Sequence, residues 1–322
     1  MKRIKKIIIR VLVLVIGVVA LFLLGMTIYN HVMLSKEAGL IKPNGTFVTV
    51  DGYKMHVYTE GSKKNKQTIL VMAAAGAATP VYDYKVLYSK LSDDYHIVVA
   101  EKFGYGYSDV SGLPRDVGTL VKESREALKL CGENGPYVLM PHSMSGLEAL
   151  YWAQHYPDEV SAIVGLDMAV PETYQYRTNN IFLKIFASPG SLKALVTMGL
   201  ARIPGIGLIS DRGLTKTELA QNQYLTYKML LNQDVMAESS IVYSNAKTVH
   251  KGGIPSVPML MFVSNGDGTG LGEDWVRGER GFASQSEKIK LIRLDCGHMM
   301  HYYKSDDIAK ETKDYLQGIF AQ

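Results

Sequence analysis

The sequence predicts an α/β protein built on a mostly parallel sheet with helices on its faces. Short apolar segments alternate with helical segments along the chain, which is typical of βαβ units. The apolar segments have few polar residues in them, as expected of central strands that are buried on both faces. Asp51-Gly52, between two runs that alternate in polarity, predicts an antiparallel hairpin at one edge. The expected strands are residues 47–50, 53–58, 68–72, 96–100, 137–140, 161–166, 258–263 and 289–294.

A transmembrane helix is predicted at the N-terminus. Residues 11–28 contain no charged side chain, and at about 1.5 Å per residue they nearly span a hydrocarbon core of about 30 Å. Five basic residues precede this run, which orients that end toward the cytoplasm and places the rest of the chain outside the cell. The localisation expected is therefore a cell membrane, crossed once, with an extracytoplasmic domain. The alternative is a cleavable signal peptide, but its apolar region is usually shorter and ends in an A-x-A-like site, which residues 25–30 do not provide.

The chain is expected to divide into residues 1–30, a cytoplasmic tip and anchor, residues 31–42, a linker, and residues 43–322, one α/β domain. Hydrophobic residues make up 47% of the chain and charged residues 20%, which allows a large core. The formal net charge is only +4, and five basic residues lie in the first ten, so no basic surface for nucleic acid is expected. A helical insertion at about 171–255 is too long for an ordinary connection and is predicted to form a cap.

The two cysteines, Cys131 and Cys296, are expected to remain unpaired. Cys131 ends the helix before the strand 137–140 and therefore lies at the N-terminal edge of a parallel sheet. Cys296 follows the strand 289–294, at the opposite edge. A strand of five residues is about 17 Å long, whereas a disulfide needs Cα atoms within roughly 7 Å of each other.

Residues 137–146 predict a nucleophile elbow, in which a strand turns sharply at a serine into a helix. The pattern G-x-S-x-G is represented by Pro141, Ser143 and Ser145, with Gly146 one place later. Small side chains are needed on either side of the serine because the turn is tight. Taken alone, the same residues also fit an ordinary serine that caps the helix.

The segments 103–109, Phe-Gly-Tyr-Gly-Tyr-Ser-Asp, 142–146, His-Ser-Met-Ser-Gly, and 297–301, Gly-His-Met-Met-His, resemble the R-G-x-G-x-S, H-S-M-G-G and terminal G-H motifs of the α/β-hydrolase superfamily. The resemblance extends over residues 47–320 and is to the cap-bearing branch of small-molecule hydrolases. It implies the α/β-hydrolase fold with a helical cap. The H-G of the family is represented here by Ala75-Gly76, and the acidic residue after the fourth strand by Glu101.

The resemblance and the order of the strands together indicate a Ser-acid-His triad made of Ser143, Asp267 and His298. Asp267 follows the strand 258–263 where the family places its acid. Asp167, at the end of the preceding strand, is the alternative, because some members carry the acid there. His298 is the expected base, and His301 is expected one turn into the final helix, facing a pocket or the cap.

The backbone N–H groups of Ala77 and Met144 are predicted to form an oxyanion hole. Ala77 follows the Ala75-Gly76 turn. Met144 follows the nucleophile at a helix N-terminus, where N–H groups have no partner within the helix.

The predicted function is a serine hydrolase, esterase-like, lipase-like or aminopeptidase-like, that cleaves an ester, amide or thioester through an acyl-enzyme. A membrane-tethered binding protein without catalysis is the alternative, and a dehalogenase is excluded because that chemistry needs a carboxylate at Ser143. Neither a cofactor nor a metal is implied by any motif. The expected partners are a small substrate with an acyl or other hydrophobic part and the lipid bilayer, through the N-terminal helix.

Overall fold

A computed structural model describes residues 2–64, 67–175, 189–203 and 209–321 of the chain. Its sheet has eight strands in the order β1-β2-β4-β3-β5-β6-β7-β8. The first two pairings are antiparallel and the other five are parallel. The mostly parallel sheet predicted from the sequence is therefore confirmed. The strands are β1 (Thr46–Val50), β2 (Tyr53–Glu60), β3 (Thr68–Met72), β4 (His96–Glu101), β5 (Tyr137–Pro141), β6 (Val160–Leu166), β7 (Met259–Val263) and β8 (Ile289–Arg293).

The hairpin at the edge of the sheet turns at Asp51-Gly52, as the sequence predicts. Val50 pairs with Tyr53, so the loop has two residues. Both have positive φ, +47° at Asp51 and +86° at Gly52. Two consecutive residues with positive φ match the right-handed twist of the strands, and Asp-Gly tolerates this backbone well.

Helices cover both faces of the sheet and bury two separate hydrophobic clusters. One face carries α4, α5, α9 and α10, with Trp152 among its fully buried side chains. The other face carries α2, α3 and α12. The helices are α1 (Lys2–Glu37), α2 (Pro80–Asp83), α3 (Lys85–Tyr88), α4 (Val117–Leu130), α5 (Ser145–His155), α6 (Pro189–Thr197), α7 (Lys216–Met229), α8 (Gln233–Ser240), α9 (Val242–Lys251), α10 (Glu273–Ala283), α11 (Met300–Tyr303) and α12 (Ser305–Phe320).

The insertion between β6 and β7 is helical in the parts that the structure describes. It contains the turn Pro171–Tyr174 and helices α6 to α9. Much of the apolar stretch 181–209 lies outside the described residues. The division into anchor, linker and domain, with a cap at about 171–255, remains a prediction.

The N-terminal helix α1 continues nine residues beyond the apolar run that ends at Ile28, to Glu37. Among the described residues it is the one helix long and apolar enough to cross a membrane, with a mean hydropathy of 3.2 in its most apolar window and none of that window buried. A signal sequence near the N-terminus satisfies the same test. Because α1 extends to Glu37, residues 31–37 of the expected linker are helical.

The end of α1 is held against the inserted helices by a largely buried ionic clamp, formed by Asn30, Glu37 and Arg202. Both terminal nitrogens of Arg202 donate to the Glu37 carboxylate, at 2.8 and 2.7 Å, and Nε donates to Asn30 Oδ1 at 2.6 Å. The Arg202 guanidinium lies 4.0 Å from the centre of the Tyr227 ring on α7. Gly199 lets the helices approach, because a Cβ there would come within 2.8 Å of Asn30. The clamp joins α1 to the insertion.

Cys131 and Cys296 are both free thiols, as predicted. Cys131 follows α4 and Cys296 follows β8, at opposite edges of the sheet. Burial raises the pKa of each thiol above its ordinary value.

We predict that Arg202→Met will loosen the end of α1. The change leaves the Glu37 carboxylate without its partner, and breaking such a pair costs about 3 kcal/mol. Amide hydrogen exchange at residues 30–37 should therefore accelerate on the order of 100-fold, since each tenfold change corresponds to about 1.4 kcal/mol. Lys193→Met, at an exposed position on α6, is the matched control. Equal exchange in Arg202→Met and the wild type would show that the clamp does not hold the helix.

Candidate active site

Ser143 lies in the sharp turn between β5 and α5 with φ of +55°. A non-glycine residue in this region is strained, and such strain is common at functional sites. Backbone hydrogen bonds fix the turn: Ser143 N–H donates to Leu166 O at 3.3 Å, and Ala169 N–H donates to Ser143 O at 2.7 Å. The predicted elbow is therefore present, and its backbone is held from both sides.

Ser145 and Gly146 explain why the elbow departs from G-x-S-x-G. The buried Ser145 hydroxyl donates to Met72 O at 2.8 Å and accepts from His142 N–H at 3.0 Å, so it fastens the turn to β3. At Gly146 a Cβ would lie 2.2 Å from Ala169 O. The position that must be glycine is thus one residue later, where α5 meets the loop after β6.

His298 lies between Ser143 and a carboxylate. Its Nε2 is 2.8 Å from Ser143 Oγ, and its Nδ1 is 2.5 Å from Asp167 Oδ2. A carboxylate only accepts, so Nδ1 carries the proton and Nε2 is free to accept the serine proton. Ser143 and His298, predicted from the sequence, are brought together in the order needed for nucleophilic catalysis.

The acid beside His298 is Asp167, and the prediction of Asp267 is corrected. Asp267 is exposed, and its contact with His298 is made by the backbone, with His298 N–H donating to Asp267 O at 2.8 Å. The physical reason is the distance along the loop. Asp167 directly follows β6, whereas Ser264, Asn265 and Gly266 separate Asp267 from β7 and carry its carboxylate away from the ring.

Asp167 is fully buried, with φ of +43°, and is held by donors. Ser264 N–H donates to Oδ1 at 2.7 Å and the Ser264 hydroxyl to Oδ2 at 2.8 Å. Burial alone would raise the Asp167 pKa, but the hydrogen bonds from His298 and Ser264 outweigh it and hold the pKa below its ordinary value. The carboxylate therefore stays ionised beside the ring.

His142 fixes the backbone of the histidine loop. Its Nε2 lies 3.0 Å from His298 O, and its Nδ1 lies 2.8 Å from the Tyr84 hydroxyl. Because a carbonyl only accepts, Nε2 carries the hydrogen and Nδ1 accepts from Tyr84, which in turn accepts from Ala74 N–H at 3.0 Å. Burial, followed by the nearby His298, lowers the His142 pKa to about 3, so the ring stays neutral.

His301 was expected to face a pocket or the cap, and the structure places it in the interior instead. Its ring is fully buried, with centroids 4.6 Å from Tyr84 and 4.9 Å from His142. Burial lowers its pKa well below the ordinary value. It packs behind the site as a neutral ring.

The two predicted oxyanion donors differ in their hydrogen bonding. Met144 N–H has no hydrogen-bond partner in the described part of the chain, as an oxyanion donor requires. Ala77 N–H is already used, because it donates to Ala74 O at 3.2 Å in the turn after β3. Ala75 N–H, two residues earlier, makes no hydrogen bond to any described residue and is therefore a second candidate beside Ala77.

A buried charge network, which the sequence did not reveal, joins the inserted helix α8 to the elements that carry the site. Lys102 Nζ donates to Glu148 on α5 at 2.6 Å and to Glu238 on α8 at 2.7 Å. The Tyr105 hydroxyl donates to Glu238 at 2.9 Å and accepts from Gly76 N–H at 3.4 Å. Burial raises the Glu148 pKa to about 7, against the opposing effect of Lys102. The unusual Glu-Lys-Phe sequence at 101–103 was the feature of the sequence that could have pointed to this network.

No group of three or more His, Cys, Asp or Glu side chains in the described ranges is arranged to hold a metal ion.

Comparisons with known proteins support the fold. Residues 68–186 match the model of the alpha/beta hydrolase fold family. The uncharacterized protein YbdG of Bacillus subtilis (strain 168) is 34% identical over 330 residues, covering 99% of this chain and 100% of YbdG.

Two solved structures share the fold at low identity. Haloalkane dehalogenase DbeA from Bradyrhizobium elkani USDA94 superposes with a TM-score of 0.62 at 15% identity, covering 86% of this chain and 98% of its own. A structure described as a membrane phospholipase A, a bacterial virulence factor, superposes with a TM-score of 0.58 at 19% identity, covering 99% of both chains. From the fold, the family model and the full-length relative, the chain belongs to the α/β-hydrolase family.

Proposed function

We propose that this protein is a serine hydrolase that cleaves an ester, amide or thioester through an acyl-enzyme on Ser143. The observation that carries the proposal is the continuous hydrogen-bonded row Ser143 Oγ, His298 and Asp167, at 2.8 and 2.5 Å. Its members are in the orientation that nucleophilic catalysis needs: a nucleophile, a base, and a carboxylate that fixes the tautomer of the base.

The proposed reaction follows from these contacts. His298 Nε2 takes the proton from the Ser143 hydroxyl as Oγ attacks the substrate carbonyl carbon. The new oxyanion is stabilised by the N–H groups of Met144 and Ala75, while Asp167 stabilises the protonated ring. His298 then gives its proton to the leaving group, whose bond to the acyl carbon breaks. Water, deprotonated by His298, hydrolyses the acyl-enzyme and restores Ser143.

A non-catalytic binding protein on the same fold is disfavoured by the condition of the site. Asp167 is an ionised carboxylate buried at a strained backbone position, and it is stabilised chiefly by Ser264 and by His298. Burying this charge and straining this backbone both cost free energy. The cost is understandable if the His298 ring needs a carboxylate partner for catalysis, and it has no purpose in a protein that only binds. A halide-releasing reaction is disfavoured as well, because Ser143 stands where that chemistry needs a carboxylate.

The substrate is proposed to have an acyl or other hydrophobic part and to meet the enzyme at a membrane surface. The clamp of Asn30, Glu37 and Arg202 ties the apolar helix to the insertion, so a membrane-embedded α1 would hold the inserted helices next to the bilayer. Hydrolysis of esters of graded chain length, aminoacyl amides and vesicle-embedded phospholipids, compared on one preparation, would separate the substrate classes.

Replacing Ser143 with alanine should lower kcat on the order of 10⁶-fold, because no other group can form the acyl-enzyme. A fluorophosphonate probe should label the wild type and fail to label Ser143→Ala. Ser145→Ala is unsuitable as a control because its hydroxyl fastens the turn, so Ser284→Ala, in an exposed position after α10, serves instead. Equal labelling of wild type and Ser143→Ala would contradict the assignment.

The two aspartates should behave differently on substitution by asparagine. Asp167→Asn should reduce kcat on the order of 10⁴-fold, because the amide favours the wrong tautomer of His298. Asp267→Asn removes an exposed carboxylate that makes no contact with the ring, so its rate should stay within about threefold of the wild type. Steady-state rates of the two folded variants decide this, and the opposite ranking would return the role to Asp267.

The anchor is proposed to remain attached, with the domain outside the cell. Asn30 and Glu37 both contact Arg202, so cleavage near Asn30 would disrupt the clamp. The mature protein purified from membranes should therefore begin within residues 1–10, and protease added to intact cells should digest the domain. A mature N-terminus near residue 30 would show that the helix is a signal peptide.

A further inference from the structure

A second buried carboxyl takes no part in the reaction described above. Glu279, on α10, is fully buried, and neither of its carboxyl oxygens has a hydrogen-bond partner. No Lys or Arg among the described residues forms an ion pair with it. A buried carboxylate in this situation would be very costly, so it calls for a physical account.

Packing of α10 holds this carboxyl against the site. The Trp275 ring lies edge-on to the His298 ring, with centroids 5.4 Å apart. Glu279 follows Trp275 by four residues, one turn along the same face of the helix. At Gly278 a Cβ would come within 2.7 Å of Thr173 backbone atoms, so the helix is pressed directly onto the turn Pro171–Tyr174. Glu279 therefore has little freedom to turn toward solvent.

The group that acts on Glu279 is Asp167. Burial raises the Glu279 pKa well above its ordinary value, and the Asp167 charge and side chain raise it further. Two ionised carboxylates are both acceptors and cannot bond to each other, whereas a proton on one of them makes it a donor. A protonated Glu279 would therefore have, in the Asp167 carboxylate, the acceptor that its carboxyl group otherwise lacks.

The hydrogen bonds of Asp167 leave room for one more donor. An ionised carboxylate offers about four lone-pair sites. Three are occupied, by His298 Nδ1–H, Ser264 N–H and the Ser264 hydroxyl. A protonated Glu279 can supply the fourth.

Other ionisable groups around α10 do not provide an alternative partner. The Glu172 carboxylate accepts a hydrogen bond from Gln285 Nε2 at 3.2 Å, and the same oxygen lies 4.0 Å from His250 Nδ1. Burial raises the pKa of Tyr174 and of the Cys296 thiol, and both remain neutral. Glu273, on the first turn of α10, is exposed.

We propose that Glu279 is a neutral carboxylic acid that donates its proton to the Asp167 carboxylate and thereby limits how strongly Asp167 attracts the proton of His298. It is a positioning residue, acting on the ring through Asp167. The proposal rests on the proposed serine hydrolase mechanism for its catalytic consequence. For its protonation state it rests on the full burial of Glu279 and on its two carboxyl oxygens without a partner.

The first test is the pH dependence of kcat/KM in three proteins. Glu279→Leu removes the donor, so Asp167 holds the imidazolium more strongly and the midpoint of the acidic limb should rise by about one pH unit. Glu279→Gln keeps a neutral donor of the same shape, so its midpoint should stay at the wild-type value. Glu273→Gln, on the exposed side of the same helix, is the control and should match the wild type.

Two results of this test would contradict the proposed role of Glu279. A midpoint in Glu279→Gln that falls below the wild-type value would show that Glu279 is ionised, because the substitution then removes a negative charge. An unchanged midpoint in Glu279→Leu would show that Glu279 only fills space. Either result would overturn the proposal.

A second measurement does not require turnover or the leucine variant. At neutral pH the infrared spectrum of the wild type should contain the carbonyl stretch of a protonated Glu279, seen as a band that Glu279→Gln loses in the difference spectrum between the two proteins. The difference spectrum removes the contribution of Glu148, whose pKa burial raises to about 7. The NMR titration of the His298 ring provides the midpoint without a substrate. If the chain hydrolyses nothing, the proposed function fails while these two measurements still decide the state of Glu279; absence of the wild-type carbonyl band refutes the proposal.

Discussion

The hydrogen bond between His298 Nδ1 and Asp167 is the contact on which the rest of the site depends. It joins the end of β6 to the loop after β8, two strands apart in the sheet, and it leaves His298 Nε2 facing Ser143. Parallel strands make this possible, because their C-terminal ends meet at one edge. The strained backbone at Ser143 and Asp167, both with positive φ, is the cost of bringing short side chains to the same ring.

Around this contact the polar groups are arranged so that the ring has one tautomer and one position. His142 accepts from Tyr84 and donates to His298 O, which holds the histidine loop. Ser264 donates to both carboxylate oxygens of Asp167, and in the arrangement proposed above Glu279 supplies one further donor. The buried rings of His142 and His301 have lowered pKa values and remain neutral, so they add no positive charge that would compete for Asp167.

Local patterns in the sequence were sufficient for the fold and for two of the three candidate catalytic side chains. The hairpin at Asp51-Gly52 and the alternation of strands and helices along the chain follow from polarity and turn chemistry, and the elbow follows from the strand that precedes Ser143. The choice between Asp167 and Asp267 could not be made in the same way, because both follow neighbouring strands and the deciding quantity is how far each loop carries its carboxylate. The hydrogen bond from Ala77 N–H to Ala74 O could not be predicted for a similar reason: it closes a turn whose geometry the small residues do not specify. The surroundings of Glu279 and the partners of Lys102 could not be predicted, since the groups that meet there are distant in sequence and their burial is set by helix packing.

The central claim is that Ser143 carries the acyl group during turnover, and trapping that intermediate tests it most directly. A chromogenic ester with a slowly hydrolysed acyl group should be mixed with the full-length protein, quenched in acid within the first turnover, and analysed by intact mass and peptide mapping. The account predicts one added acyl group, located on Ser143, with release of one equivalent of alcohol before steady state. Steady product formation with no acylated protein, or an acyl group on a different residue, would contradict it.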